Sequence, residues 1–149
     1  MIWKHVSAAP FFLDDSMRNP YLFEAAITAP NSVAFLIGGP PALGIAYAFG
    51  LSKHEDGGAS PAFGCAIALW DRAAFRCAPL IRTALASVFA SHWSPHRAYA
   101  LICARNALAL RFAAQLGFRK EGDIREGLRY RGVWQDVTLM GLLRSELKE

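Results

Sequence analysis

Between Glu24 and Lys53 the chain carries no charged residue, and so apolar a stretch folds either as a membrane span or as buried secondary structure. A spanning helix needs about 20 consecutive apolar residues. Here Pro30 and Asn31 stand near its start and Gly38-Gly39-Pro40-Pro41 in its middle, and proline within a helix removes a hydrogen bond and clashes with the preceding turn. Two buried strands joined by a turn, Ser32–Ile37 and Ala42–Leu51, keep the backbone paired without a membrane.

The remaining segments alternate in period. Ala62–Trp70 is a nearly continuous apolar run of strand length, as for a strand buried on both faces. Asp71–Ala78 reads as a loop, followed by a helix with Pro79 in its first turn, where a missing N–H costs nothing. Leu80, Ile81, Ala84, Leu85, Val88 and Phe89 recur at helical spacing and should face the sheet. Arg97–Ala104 is a second buried strand. A further helix follows, with Asn106 as its cap, Gly117 as its left-handed stop, and Leu108, Ala109, Phe112, Ala113 and Leu116 on one face. Arg119–Glu149 reads as two strands about a turn near Arg131-Gly132, the second being Val133–Leu143.

Ahead of these, Ile2–Val6 is expected as a short strand, with short helices around Asp15 and over Tyr21–Ile27, and the Lys53-His54-Glu55-Asp56-Gly57-Gly58 cluster as a solvated loop. Without a repeat or linker, residues 1–149 are expected to form one α+β domain.

Composition narrows the function. Hydrophobic residues at 54% exclude a disordered chain. A net charge of +4 suits an anionic ligand but is sparse for a nucleic-acid binder. Arg119, Lys120, Arg125, Arg129 and Arg131 alternate with Glu121, Asp123 and Glu126, as in a mixed solvated hairpin, so no nucleic acid is expected as partner. Cys65, Cys77 and Cys103 show neither disulfide nor zinc spacing, so no metal is expected and a reducing compartment suits them. The opening Met1-Ile2-Trp3-Lys4-His5 lacks the pattern of a secretory signal, and the expected location is cytoplasmic.

The C-terminal half carries a more specific pattern. Asn106 with Ala109, Gly117-Phe118, Glu121-Gly122, Arg125, Gly132, Trp134, Asp136 and Leu142-Leu143 resembles the closing half of the GNAT acyl-CoA-dependent N-acetyltransferases. The nearest likeness is to the branch that acetylates ribosomal-protein N-termini and small amines. The resemblance implies a mixed, mostly antiparallel sheet flanked by helices, with a splayed central parallel pair, here Ala62–Trp70 and Arg97–Ala104. The pantetheine arm of acetyl-CoA would lie in that opening, and no metal would be needed. By position, the residues implied at the acyl donor are Leu69, Trp70, Arg72, Arg76, Cys77, Ala78, Leu80, Ile81, Asn106 and Arg111, with a backbone N–H near Trp70 for the oxyanion. Tyr130 and Trp134 would line the acceptor site or pack on the sheet. A dimer is compatible with this reading.

Two departures accompany the resemblance. The stretch Arg72-Ala73-Ala74-Phe75-Arg76-Cys77-Ala78-Pro79-Leu80 lacks the glycines of the family's phosphate loop, so Arg72 and Arg76 would have to compensate. The Tyr or Ser that protonates the departing thiolate in such enzymes is matched here by Ala113 and Ala109, so no acid follows from the pattern. Glu24, Asp71, Glu121 and Asp136 are the candidate carboxylates for a base, each with a surface or structural role as the alternative. The expected function is acetyl transfer from acetyl-CoA to a primary amine; the alternative is a GNAT-fold protein that binds acyl-CoA or a partner with little or no turnover.

Overall fold

The computed structural model describes residues 2–8, 19–52 and 61–147. The helix expected around Asp15 and the loop from Lys53 to Gly58 lie outside the described residues. The elements are α1 (Ile2–Ala8), α2 (Pro20–Thr28), β1 (Val33–Ile37), β2 (Gly44–Phe49), β3 (Ala62–Leu69), a 3₁₀ helix (Arg72–Cys77), α3 (Ala78–Phe89), β4 (Arg97–Cys103), α4 (Ala107–Gln115), β5 (Arg119–Tyr130), β6 (Val133–Leu143) and a short 3₁₀ turn (Arg144–Glu146). The six strands form one sheet in the order β1-β2-β3-β4-β6-β5. Every pairing is antiparallel except β3 with β4.

The charge-free segment thus supplies the end of α2 and the β1–β2 hairpin, and among the described residues no helix is long and apolar enough to cross a membrane. The opening residues depart from expectation: Ile2–Ala8 is helical rather than extended. Val6 lies wholly buried against Phe23, Ile45 and Ala68, a contact beyond the reach of a local pattern in five residues.

The sheet separates two apolar layers. Even-numbered residues of β2 and odd-numbered residues of β3, among them Ala46, Ala48, Phe63 and Cys65, pack with Ile81, Leu85 and Val88 of α3 and Phe112 and Ala113 of α4. The opposite parity, Ile45 and Ala68, packs with α1 and α2, and Trp70 joins this second cluster. On that face Phe49 lies across Gly64, where any Cβ would meet its ring, and reaches Tyr99 edge-on at 6.3 Å.

Helix ends follow the sequence signals closely. Asn106 Oδ1 accepts from Ala109 N–H at 3.2 Å. At the other end of α4, Phe118 N–H donates to Ala113 O and Gly117 N–H to Ala114 O, each at 3.0 Å, with Gly117 at φ +104°; this pair of bonds is the Schellman stop. The β5–β6 turn places Arg131 and Gly132 at φ +50° and +78° between the paired Tyr130 and Val133, a two-residue turn whose twist matches that of the strands.

Two expected inward leucines point out. Leu80 is 61% and Leu108 52% exposed. The buried stripe of α3 runs through Ile81, Leu85, Val88 and Phe89, and Leu80 sits about 100° around the helix from Ile81. Leu108, in the first turn of α4, borders the opening described next.

Candidate functional site

The parallel pair separates almost as soon as it forms. Its register covers only Ala62↔Arg97, Phe63↔Ala98 and Gly64↔Tyr99, while each strand stays paired to its outer neighbour, β3 to β2 through Leu69 and β4 to β6 through Cys103. The result is a cleft of about 250 Å³ between the strands, roofed by α4. It narrows where the strands meet and opens at their C-terminal ends, where the chain turns into the helices.

Hydrogen-bond alternation decides what faces this cleft. Trp70 N–H donates to Leu43 O at 3.1 Å, so even-numbered residues of β3 bond to β2, and the backbone N–H and C=O groups of Ile67 and Leu69 point toward the departed β4. Of the backbone N–H groups near Trp70, where an oxyanion donor was expected, that of Trp70 is already taken and that of Leu69 faces the opening. The Trp70 ring is on the other side of the sheet, where Nε1 donates to Ala42 O at 2.8 Å and His5 stacks on it at 5.0 Å.

The expected loop after β3 is a 3₁₀ helix running directly into α3. Asp71 caps it, its carboxylate accepting from Ala73 N–H at 2.8 Å and its carbonyl from Ala74 N–H at 3.0 Å. A 3₁₀ helix satisfies each further N–H from three residues back, and Pro79 has none to offer. Few backbone donors remain here for an anion. Arg72 and Arg76 are exposed on this turn, and among the described residues neither has an ion-pair partner.

Of the residues expected at an acyl donor, Leu69 and Asn106 line the cleft. Arg72, Arg76, Cys77, Ala78, Leu80 and Ile81 belong to the turn and the first residues of α3 beside its open end, with Ile81 buried beneath. Arg111 is exposed on α4. Tyr130 and Trp134 stand elsewhere, at the tip of the β5–β6 hairpin, where Arg131 lies over the Tyr130 ring at 5.3 Å and Arg129 over Trp134 at 5.9 Å. Neither lines the cleft.

The candidate carboxylates are engaged or remote. Asp71 caps the 3₁₀ helix, Glu121 pairs with Arg97, and Asp136 accepts from Glu126 N–H at 2.9 Å, holding a bulge in β5. Glu24 is exposed on α2. Asp123, bonded to Lys120 and Thr138, is held below the usual carboxylate range by those two hydrogen bonds. Among the described residues no cluster of His, Cys, Asp and Glu could hold a metal ion.

The inner lining was not legible as a site. Cys65, Ala66, Ala68, Ala100, Cys103, Ala109 and Ala113 all border the cleft, with Phe112, Leu116 and Phe118 behind them. Its signal was the run of small residues in both parallel strands, which reads equally well as ordinary close packing. The Cys65 Sγ donates to Tyr99 O at 3.4 Å, and burial pushes its thiol up to about 12. A thiol so raised stays protonated near neutral pH and is a poor nucleophile. Under native conditions iodoacetamide should therefore alkylate the half-buried Cys77 and spare Cys65 until the protein unfolds. Peptide mass mapping against time reads this out; equal rates at both would mean that the narrow end of the cleft is open to water.

A six-stranded mixed sheet with one splayed parallel pair and helices on both faces is the GNAT fold, and solved structures bear this out. The chain is similar to spermidine N-acetyltransferase from Vibrio cholerae in complex with CoA and spermine, with 19% identity, a TM-score of 0.70, and coverage of 98% of this chain and 84% of that one. A chimera of that enzyme with hSSAT gives 17%, 0.69, 97% and 90%, and a probable acetyltransferase 15%, 0.68, 89% and 74%. At these identities what is shared is the fold, and none of these structures supports the ribosomal-protein branch. No protein-family model and no curated protein matches the chain.

Proposed function

We propose that this protein, as one domain, transfers an acetyl group from acetyl-CoA to a primary amine. The observation that carries the reading is the cleft between β3 and β4, apolar along its walls, edged by the backbone groups of Ile67 and Leu69, and open beside exposed arginines. These features fit the three parts of the donor: an apolar and amide-bearing arm, a thioester, and a polyphosphate. The similarity to an enzyme solved with CoA and spermine supports the same choice of donor and an amine acceptor.

Transfer needs a neutral amine that attacks the thioester carbonyl, a donor for the oxyanion, and a proton for the thiolate. Leu69 N–H suits the second role. No residue of α4 suits the third, since Ala109 and Ala113 face the cleft. Those two alanines also favour the second reading, an acyl-CoA or partner-binding protein with little or no turnover. Direct binding of acetyl-CoA measured beside turnover over an amine panel separates the two: binding with product supports the enzyme, binding without product the alternative, and no binding removes both as CoA proteins.

With few backbone donors at the 3₁₀ turn, phosphate affinity falls to side chains. Arg76→Ala is expected to weaken CoA binding by about 1.5–3 kcal/mol, the scale of a charge-assisted contact, and Arg72→Ala by less. Titration calorimetry checks this, and parent-like affinity in both variants would clear the turn of a phosphate role.

A further inference from the structure

The sheet ends on one side at β1, and that edge is open. Bond alternation assigns its groups: Ile45 and Tyr47 of β2 bond to Ala68 and Ala66 of β3, which leaves Ala46 and Ala48 to bond Phe35 and Val33. The backbone N–H and C=O groups of Ala34 and Leu36 therefore point away from the sheet, and among the described residues no strand lies beyond them. Leu36 is 56% exposed beside the buried Ile37. α2 packs over one face of β1 and α3 over the other, so both faces are covered and the edge is not.

The two edges of the sheet differ. β5 mixes basic and acidic residues from Arg119 to Arg129 and is broken by two register shifts; charges and bulges guard a free edge against pairing. β1 has neither. It stays in register with β2 throughout, contains no proline, and lies in the charge-free stretch between Glu24 and Lys53. Such an edge is a template for another strand.

We propose that β1 pairs antiparallel with β1 of a second copy of this chain, across a two-fold axis at Phe35. In that register Ala34 stands opposite Leu36 of the second copy, and Leu36 opposite its Ala34. These are the residues whose groups point outward, so each pair exchanges both its N–H···O bonds. Leu36 shares its face with Ile45, on the α1 and α2 side, and there the small side chain of one copy lies beside the large one of the other. Charge favours this occupant: each copy carries +4, and an uncharged junction brings no like charges together. Tyr21 and Leu22, exposed on α2, add apolar surface on the helix that covers β1. A two-fold pairing uses up both β1 edges, so assembly stops at two chains with the guarded β5 edges outermost. β2 and β3 stand between the junction and the cleft, so each copy keeps its own site and the inference is independent of the CoA reading.

Sedimentation equilibrium of the full chain tests this without a ligand. The mass should pass from that of one chain, 16.3 kDa, to twice that as concentration rises through the micromolar range. Amide exchange locates the contact. With about nine-tenths of the chains paired, the N–H groups of Ala34 and Leu36 should exchange about tenfold more slowly than in dilute protein, while those of Val33 and Phe35, bonded to β2, should be slow in both. Leu36→Lys places a charge on the edge, and Ala34→Pro removes an outward donor without touching the β2 ladder. Each should remain a single chain where the parent is paired, with its fold checked by melting in dilute solution. A parent that stays single at millimolar concentration overturns the proposal. So does a dimer that survives both substitutions, or one whose Ala34 and Leu36 amides exchange at the dilute rate, since it is joined through another surface. Assemblies larger than two would mean that β5 pairs as well, and would overturn the closed two-fold form.

Discussion

Ala113→Tyr is expected to raise the rate of acetyl transfer about a hundredfold, the lower range for a general acid brought into register. Ala113 lines the cleft from the middle of α4 and is 7% exposed, so a larger side chain there projects into the opening between the strands. Among the described residues the only ionisable side chains on the wall are the thiols of Cys65 and Cys103, and Cys65, with its pKa raised by burial, holds its proton too tightly to protonate a thiolate readily. In the parent the proton then comes from water or from a group elsewhere than this wall. A phenol at position 113 supplies it from a fixed direction. Steady-state rates on an accepted amine, with calorimetry and circular dichroism as controls, read out the effect. A folded, CoA-binding Ala113→Tyr protein with unchanged rate would mean that thiolate protonation does not limit turnover, and would favour the binding-protein reading.

How far the sequence carried this structure depended on the range of the interaction involved. The cap at Asn106, the stop at Gly117 and the turn at Arg131-Gly132 are local events, decided within a few residues, and each stands where its residues predicted. The two central strands were legible as apolar runs of strand length, while their parallel pairing followed from the family resemblance. The splay between them, and hence the cleft, follows from how two outer ladders pull β3 and β4 apart, which no single segment encodes. Trp70 shows the same limit: it follows the last residue of β3, but strand parity turns its ring to the α1 and α2 side, away from the cleft. The 3₁₀ helix after Asp71 was missed because its driving bonds, from Ala73 and Ala74 to Asp71, compete closely with those of an open turn. Ile2–Ala8 is helical with Val6 buried against the sheet, a tertiary contact between segments far apart in sequence.

Phe63→Ala is expected to cost about 3–5 kcal/mol, the range for removing a fully buried ring, whereas Leu80→Ala should stay within about 0.5 kcal/mol of the parent, as for an exposed position. Phe63 has no exposed surface, meets the Phe89 ring edge-on at 5.3 Å, and sits in the middle of the three residue pairs that join β3 to β4. Its neighbour across that junction is Ala98, also wholly buried, so a cavity there has little to collapse into it. For a chain of this length the loss lowers the melting temperature by about 10 °C or more. The contrast with Leu80 separates two uses of the same helical spacing, since both residues belong to apolar patterns and only one reaches the core. The effect should also appear at the cleft: the junction fixes the angle at which the strands part, and with its central ring gone, affinity for an acyl-CoA should fall even at a temperature where Phe63→Ala remains folded. Thermal melts of both variants, followed by calorimetry well below the transition, check the two statements. A Leu80→Ala melt as low as that of Phe63→Ala would mean that α3 turns its first residues toward the sheet, and unchanged acyl-CoA affinity in folded Phe63→Ala would mean that the outer strands alone hold the cleft open.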